Sequence, residues 1–306
     1  MGKSGFIAVI GRPNVGKSTL TNKILGEPIS IVTPKAQTTR ERILAILTEP
    51  RGQIVFVDTP GIHRAKVGGI NQAMVQATAR ALNNELIWYL VDPRSALFHE
   101  EVVLDLFAQT IQKSRIKSIF LVMNKIDLEK PSRLRELAES IEAAARTKGI
   151  LFCERHLISA QRGDGIETLL ESSWRLLPEG PLLYPDTEAL SDRPTRFFVA
   201  ERIREQLFLQ LGEELPYCCA VKIESYDEGA QLSRIEASIY VEKESQKPIV
   251  IGKAGSKIKS IGQAARHQIE VFLGQKIFLG LKVKVLKDWT KSAEKLKQLG
   301  YLIEDK

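Results

Sequence analysis

The sequence predicts a doubly wound, mostly parallel α/β sheet covered by helices on both faces, followed by a smaller α+β domain. Three observations carry that reading. Short apolar runs alternate with amphipathic helical stretches through residues 1–177, the pattern of strands returned to one sheet by crossover helices. Pro178, Pro181, Pro185 and Pro194 then cluster in 178–194 and mark a linker, because proline fixes its own backbone and restricts the residue before it. Beyond 194 the order of elements changes, and 306 residues of which 43% are hydrophobic can bury more than one core. The predicted organisation is a first domain at 1–177, a linker at 178–194 and a second domain at 195–306.

The first strand is "FIAVI" (6–10). "RILAILTE" (42–49) and "QIVFVD" (53–58) meet across "PRG", so they read as an antiparallel hairpin. "LIWYLVD" (86–92), "SIFLVMN" (118–124) and "LFCERHLIS" (151–159) supply the other strands, and 70–82, 99–113, 132–147 and 165–177 show helical spacing. The second part reads helix (195–212), strand (217–225), strand (231–241), a glycine loop, helix (264–273), strand (277–286) and helix (288–299). Its glycine stretch, "IVIGKAGSKIKSIG" (249–262), reads as a strand feeding a helix.

The chain has 44 Lys+Arg against 37 Asp+Glu, a net charge of +7, compatible with nucleic acid or an anionic membrane surface and diagnostic of neither. Its distribution says more. From Lys243 to Lys291 eleven basic residues less the acidic Glu244, Glu270 and Asp288 leave an excess of eight, more than that of the whole chain. Cys153, Cys218 and Cys219 form no CxxC and supply too few ligands for a zinc site, so they read as reduced packing residues, with Cys218 and Cys219 on opposite faces of one strand. The N-terminus reads as neither signal nor transit peptide, and no apolar run approaches the roughly 20 residues a membrane-spanning helix needs. A cytoplasmic protein is expected, with peripheral membrane contact left open.

"GRPNVGKST" (Gly11–Thr19) follows strand 6–10 and opens a helix, the context that makes it a phosphate-binding loop. Gly11 and Gly16 allow close backbone approach. Between them Arg12, Pro13, Asn14 and Val15 form the loop, and the N–H groups of residues 14 to 18 can wrap a β-phosphate at a helix N-terminus. Lys17 would bridge β- and γ-phosphate oxygens, Ser18 would ligate Mg²⁺, and Thr19 follows on the helix. "VDTPG" (57–61) ends the next strand: Asp58 would hold Mg²⁺ through water, Thr59 and Pro60 form the turn, and the Gly61 N–H can reach a γ-phosphate only when one is bound. "NKID" (124–127) and "SAQRGDG" (159–165) select the base. Asp127 can accept from N1–H and the exocyclic amine of guanine, whereas adenine opposes it with a lone pair at N1 and has no amine at C2. Asn124 and Lys125 brace the loops and cover the ring, and after Ser159 the Ala160 N–H would meet guanine O6.

Together "GRPNVGKST", "KAQTTRER", "DTPGIH", "NKID", "ISAQRGDG" and "VIGKAGSKIKSIG" make the chain similar to the Era family of bacterial GTPases, and the likeness extends through "ELPY" (214–217) and "LKDWTKSAEKLKQLGY" (286–301). The resemblance implies a P-loop GTPase domain and a C-terminal type II KH domain. It further implies a GTP/GDP switch with Mg²⁺ that binds the 3′ end of 16S ribosomal RNA, assists 30S subunit maturation and associates to some extent with the inner membrane. The chain is expected to be monomeric. A stand-alone regulatory GTPase acting on a protein or membrane partner, with the C-terminal domain as a docking module, is the competing expectation.

In a KH domain the GxxG joins two short helices and lets backbone come close to about four nucleotides. Gly252, Lys253, Ala254 and Gly255 fit that loop, flanked by Ile251 and Ser256, with Lys257 and Lys259 following on the helix to contact phosphates. Ile249, Ile251, Ile258 and Ile261 are candidates for an apolar base groove, although core packing accounts for them equally well. The position after "DTPG" is Ile62, which cannot hydrogen-bond an attacking water as glutamine does in many signalling GTPases, so intrinsic hydrolysis should be slow and should rest on Lys17, Mg²⁺ and loop N–H groups. Thr39, which immediately precedes Arg40, is favoured as the switch I threonine completing the Mg²⁺ shell by similarity to related GTPases, with Thr38 the alternative. Some relatives with asparagine at the position of Asn14 bind K⁺ against the phosphates; an asparagine that simply braces switch I is the other reading. His63 reads as an exposed switch II residue rather than a base.

Overall fold

The computed structural model describes residues 2–33, 35, 39–40, 42–59, 61, 86–94, 97–111, 118–229 and 231–301. The expected helix at 70–82, together with Thr38, Pro60, Ile62 and His63, lies outside them. The chain divides into two compact units, with a boundary at Asp192–Arg193.

The first unit contains a six-stranded sheet of order β2-β3-β1-β4-β5-β6. Its strands are β1 (Lys3–Gly11), β2 (Ile43–Glu49), β3 (Gly52–Asp58), β4 (Leu86–Val91), β5 (Ser118–Met123) and β6 (Glu154–Leu157). Only β2 runs antiparallel to its neighbour, paired to β3 across the Pro50–Arg51 turn. Every residue of β3 and β4 is buried, which explains why these strands read as unbroken apolar runs: both faces are covered by helices. Strand β6 is shorter than the stretch 151–159 suggested.

Helix α1 (Lys17–Leu25) springs from the end of β1, and α2 (Leu97–Ile111), α3 (Pro131–Thr147) and α4 (Ile166–Leu176) follow the later strands. In α3, Pro131 occupies the first turn, where its missing N–H costs nothing. There Leu134, Leu137, Ala138, Ile141 and Ala145 form the buried stripe, at the spacing that puts one helix face on a sheet.

Residues 178–192 run along this unit's own surface. Gln53 exchanges hydrogen bonds with the Tyr184 backbone (2.8 and 3.1 Å), Ile46 N donates to Leu190 O (2.9 Å) and Ser191 Oγ to Leu44 O (2.6 Å). The proline-rich stretch thereby satisfies backbone groups of β2, an edge strand that would otherwise offer them to another chain.

The second unit contains α5 (Thr195–Gln210), β7 (Ala220–Asp227), β8 (Ser233–Val241), α6 (Lys247–Ile251), α7 (Ser256–Leu273), β9 (Ile277–Val285) and α8 (Ala293–Gln298). The sheet order is β7-β8-β9, with β7 antiparallel and β9 parallel to β8. One core joins Val199, Ile203 and Leu207 of α5 to Ile235 and Ile239 of β8 and to Ile261, Ala265 and Ile269 of α7. A smaller cluster forms around fully buried Trp289, with Ala220, Leu296 and Leu299.

Three local expectations differ from the structure. Cys218 ends a short 3-10 turn at Leu215–Cys218 and Cys219 follows it, so both precede β7 instead of alternating along it. The residues before the GxxG are helix α6 rather than a strand; Pro248 supports a first helical turn, and the helix ends at Gly252, whose N–H donates to Pro248 O (2.8 Å). Helix α7 also begins earlier than expected, directly after Gly255.

Candidate nucleotide site and nucleic-acid interface

Strand order reverses between β1 and β4, and the carboxyl end of β1, flanked by those of β3 and β4, is the position at which open α/β sheets bind ligands. There the chain leaves β1 at Gly11 and turns through Asn14 (φ 64°) and Gly16 (φ 100°) before α1 starts at Lys17. A Cβ on Gly16 would sit 2.3 Å from Asn124 Nδ2, so glycine is required both for the backbone angle and for the approach of the base loop. One on Gly61 would sit 2.5 Å from Pro13 N, so Gly61 lies against the phosphate loop.

Lys17 is buried and donates to Gly11 O (3.1 Å) and Arg12 O (2.9 Å). Burial lowers its pKa to about 8 against the opposing pull of the Asp58 and Glu100 carboxylates. Ser18 Oγ donates to Asp58 Oδ2 (2.8 Å) and lies 3.2 Å from Thr39 Oγ1. Asp58 is fully buried, which raises its pKa although Lys17, Ser18 and Ser30 favour the charged form. Its Oδ1 has no hydrogen-bond partner among the described residues. A converging serine, threonine and carboxylate with one buried oxygen to spare fits Mg²⁺, a hard cation that takes one or two protein carboxylates and completes its shell with phosphate and water. Thr59 turns inward instead, its Oγ1 donating to Val9 O (2.9 Å).

The base side is tied to the same loop. Asn124 is buried and donates through Nδ2 to Val15 O (2.7 Å). Lys125, in the left-handed region at φ 63°, donates to Asn14 O (2.5 Å). Asp127 Oδ1 accepts from Ser159 Oγ (2.6 Å), a bond that leads in holding its carboxyl below the ordinary range, and Arg162 approaches Oδ2 at 3.9 Å. The Ala160 N–H, expected to point at the base, donates to Asn124 Oδ1 (2.9 Å); here it braces the loop because the buried amide oxygen needs a donor.

In the second unit Gly252 (φ 77°, ψ 169°), Ala254 (φ 50°) and Gly255 (φ 77°) form a tight turn between α6 and α7. Lys253, Ala254, Ser256 and Lys259 are exposed and Lys257 is half-buried. A groove of about 400 Å³ opens beside α7 and is lined by Ile258, Lys259, Gly262, Arg266, Phe278 and Leu281, among others. Of the four isoleucines considered for a base groove, Ile258 lines it, Ile261 is fully buried in the core, and Ile249 is exposed. Ile251 is half-buried and packs against that core. The wall supplied by β9 was not read from the sequence because its residues lie far along the chain from the glycine turn; Leu279 and Leu281, two apart and so on one face of an edge strand, were the available signal.

A phosphate loop, a buried Ser-Thr-Asp group and a guanine-type base loop on an α/β sheet, in a chain that also carries a helix-turn-helix GxxG unit, define a guanine-nucleotide-binding protein with a KH-type domain. Residues 6–125 match the family of 50S ribosome-binding GTPases and residues 214–290 the KH domain family. The chain is 44% identical over 304 residues to GTPase Era of Syntrophus aciditrophicus, covering 98% of this chain and 96% of that protein. It is 45% identical over 300 residues to GTPase Era of Xylella fastidiosa, with 98% and 97% covered. Among solved structures it is similar to Era in complex with MgGDPNP and nucleotides 1506–1542 of 16S ribosomal RNA (TM-score 0.90, 33% identity, 99% and 100% covered). It is also similar to a variant of Aquifex aeolicus Era bound to GDP·AlF4⁻ (TM-score 0.88, 34% identity, 98% and 100% covered). The chain belongs to the Era family of GTPases.

Proposed function

We propose that this GTPase is a GTP-controlled RNA-binding factor that grips the 3′ end of 16S ribosomal RNA through residues 195–306 and assists 30S subunit maturation. The observation that carries the reading is the exposed left-handed Gly252–Gly255 turn beside a basic, apolar-walled groove, in a chain whose other unit holds a guanine-type base loop. The Era structure solved with 16S nucleotides supports the choice of RNA. In this reading residues 1–177 form the GTPase domain and 178–194 the linker. The protein acts as a monomer in the cytoplasm, with peripheral contact to the inner membrane; none of its described helices is long and apolar enough to cross a membrane.

The roles follow from chemistry. Loop N–H groups from Asn14 to Ser18 and the Lys17 ammonium bind the phosphates, and the Asp127 carboxylate accepts from the guanine edge. Ser18, Thr39 and Asp58 are the residues to hold Mg²⁺, which when bound neutralises charge on the β- and γ-phosphates. The Gly61 N–H and Thr39 respond to the γ-phosphate and so distinguish GTP from GDP. With isoleucine at position 62, hydrolysis depends on positioning and charge stabilisation alone, and unstimulated turnover is slow.

The test is binding of a labelled single-stranded RNA matching the 16S 3′ end, at fixed salt, to protein loaded with a non-hydrolysable GTP analogue or with GDP. Tighter binding in the GTP state is expected. Equal binding would leave two uncoupled activities, and no binding in either state would favour the stand-alone regulatory GTPase. The case for K⁺ as a second cation beside the phosphates rests on the asparagine at position 14, the residue type at which some relatives bind it. Turnover is then faster in K⁺ than in Na⁺ at equal ionic strength, and equal rates would remove K⁺ from the account.

A further inference from the structure

We infer that Asp92 is a positioning residue of the guanine subsite, fixing the Lys125 side chain so that the end of β4, the base loop and the phosphate loop are held as one piece. Asp92 directly follows β4, and its side chain is 13% exposed. Its Oδ2 accepts from Lys125 Nζ at 2.8 Å, while the same ammonium donates to Asn14 O at 2.5 Å. The carboxylate is itself immobilised: Oδ1 accepts from Arg94 N (3.0 Å) and Nε (3.1 Å), and Oδ2 from Arg94 Nη2 (2.8 Å). A two-pronged arginine contact of this kind fixes orientation as well as charge. Burial pushes the Asp92 carboxyl upward, but the bonds from Arg94 and Lys125 outweigh it and hold the group far below the ordinary carboxylate range, so at neutral pH it is an anion facing a cation.

The geometry matters because a lysine stem has many rotamers. The Lys125 backbone is set in the left-handed region, and its ammonium is caught between two fixed acceptors. With both ends tied, the stem has one path, the path that covers the base in the reading above. Without Asp92 the ammonium keeps one carbonyl partner and gains freedom that nucleotide binding must remove. The contact is uniform: it does not change between ground and transition states, so it belongs in affinity and not in turnover at saturation.

This inference rests on the assignment of Asn124–Asp127 to guanine, and the experiment separates the two. Affinities for GDP and for a GTP analogue are measured on full-length Asp92→Ala, Asp92→Asn, Lys125→Ala and the Asp92→Ala/Lys125→Ala double variant, together with kcat at saturating GTP. The asparagine variant keeps the side chain's size in case alanine loosens the loop. Both Asp92 variants are expected to weaken GDP and the GTP analogue by the same factor, about tenfold, within the coupling range of contacting residues, with kcat unchanged. In the Lys125→Ala background Asp92→Ala should add less than about twofold, because the group it positions is gone. Losses that multiply in the double variant, or an Asp92→Asn affinity equal to that of the parent, would overturn the inference. If Lys125→Ala alone leaves both affinities unchanged, the inference fails while the guanine assignment, which Asp127 carries, stands; loss of base discrimination is tested separately by Asp127→Asn.

Discussion

Asp127→Asn converts the protein from a guanine- to a xanthine-nucleotide binder. Guanine presents N1–H and its exocyclic amine as two donors on one edge, and a carboxylate offers two acceptors to meet them. An amide offers one acceptor and one donor, so one guanine donor is set against an N–H while the carbonyl at the xanthine C2 becomes a partner. Sites built around such hydrogen bonds reject the mismatched analogue by about 10⁴-fold, and a loss of at least about 10³ in GDP and GTP affinity is expected here. The exchange is nearly isosteric. Asparagine can still accept from Ser159 Oγ, which now lies 2.6 Å from Asp127 Oδ1, and the residue sits in a short surface turn at Ile126–Leu128, so stability should move by less than about 0.5 kcal/mol. Competition of GDP, XDP and ADP against a labelled nucleotide measures it. Retention of GDP affinity within tenfold, with no gain for XDP, would show that Asp127 does not read the base.

The contrast between Asp127 and Asp92 shows what a sequence makes legible. The Asp127 role is written in four adjacent residues, and the loop Gly11–Thr19 is likewise contiguous, because a phosphate is wrapped by consecutive N–H groups whose spacing the chain itself sets. Asp92 reaches its lysine across 33 positions, through the register that pairs β4 with β5. No local pattern announces it. The same limit applies to residues 178–192: prolines reveal a break in regular structure, but that the segment lies along β2 depends on hydrogen bonds to Leu44, Ile46 and Gln53. In the second unit the glycines of the turn were evident, whereas the choice among isoleucines was not. Ile258 and Ile261 differ by three residues on one helix, and whether such a residue lines a groove or fills a core is decided by what packs against it. The apolar run before Gly252 reads as strand because Ile and Val are β-branched; position next to the helix-terminating glycine outweighs that preference. The main strands, by contrast, were legible almost throughout, since a sheet buried on both faces leaves few polar interruptions.

Gly252→Asp should abolish RNA binding while leaving GTP turnover intact, and the backbone explains why the effect is large. At φ 77° and ψ 169° Gly252 occupies a region essentially reserved for glycine. A Cβ there would lie 2.6 Å from Lys257 Cβ and 2.7 Å from Lys257 N, so any side chain forces the turn away from the first turn of α7. The strain is about 1–3 kcal/mol, below the roughly 5–15 kcal/mol that holds a domain folded, so the unit survives with a displaced loop. An aspartate also puts a negative charge beside Lys253 and Lys257, where phosphates are to be neutralised, and each lost phosphate contact weakens binding and flattens its salt dependence. Together the two effects predict a loss of at least about 100-fold in affinity for the 3′-end RNA. Gly252→Ala separates them: it keeps the clash without the charge and should fall between the parent and the aspartate variant. Melting curves would verify that both variants fold, and GTP hydrolysis without RNA provides the internal control, since Gly252 belongs to the second unit and the nucleotide-binding residues to the first. RNA affinity within threefold of the parent in a folded Gly252→Asp variant would remove this turn from the RNA interface, leaving the groove between α7 and β9 to be tested on its own through Arg266 and Phe278.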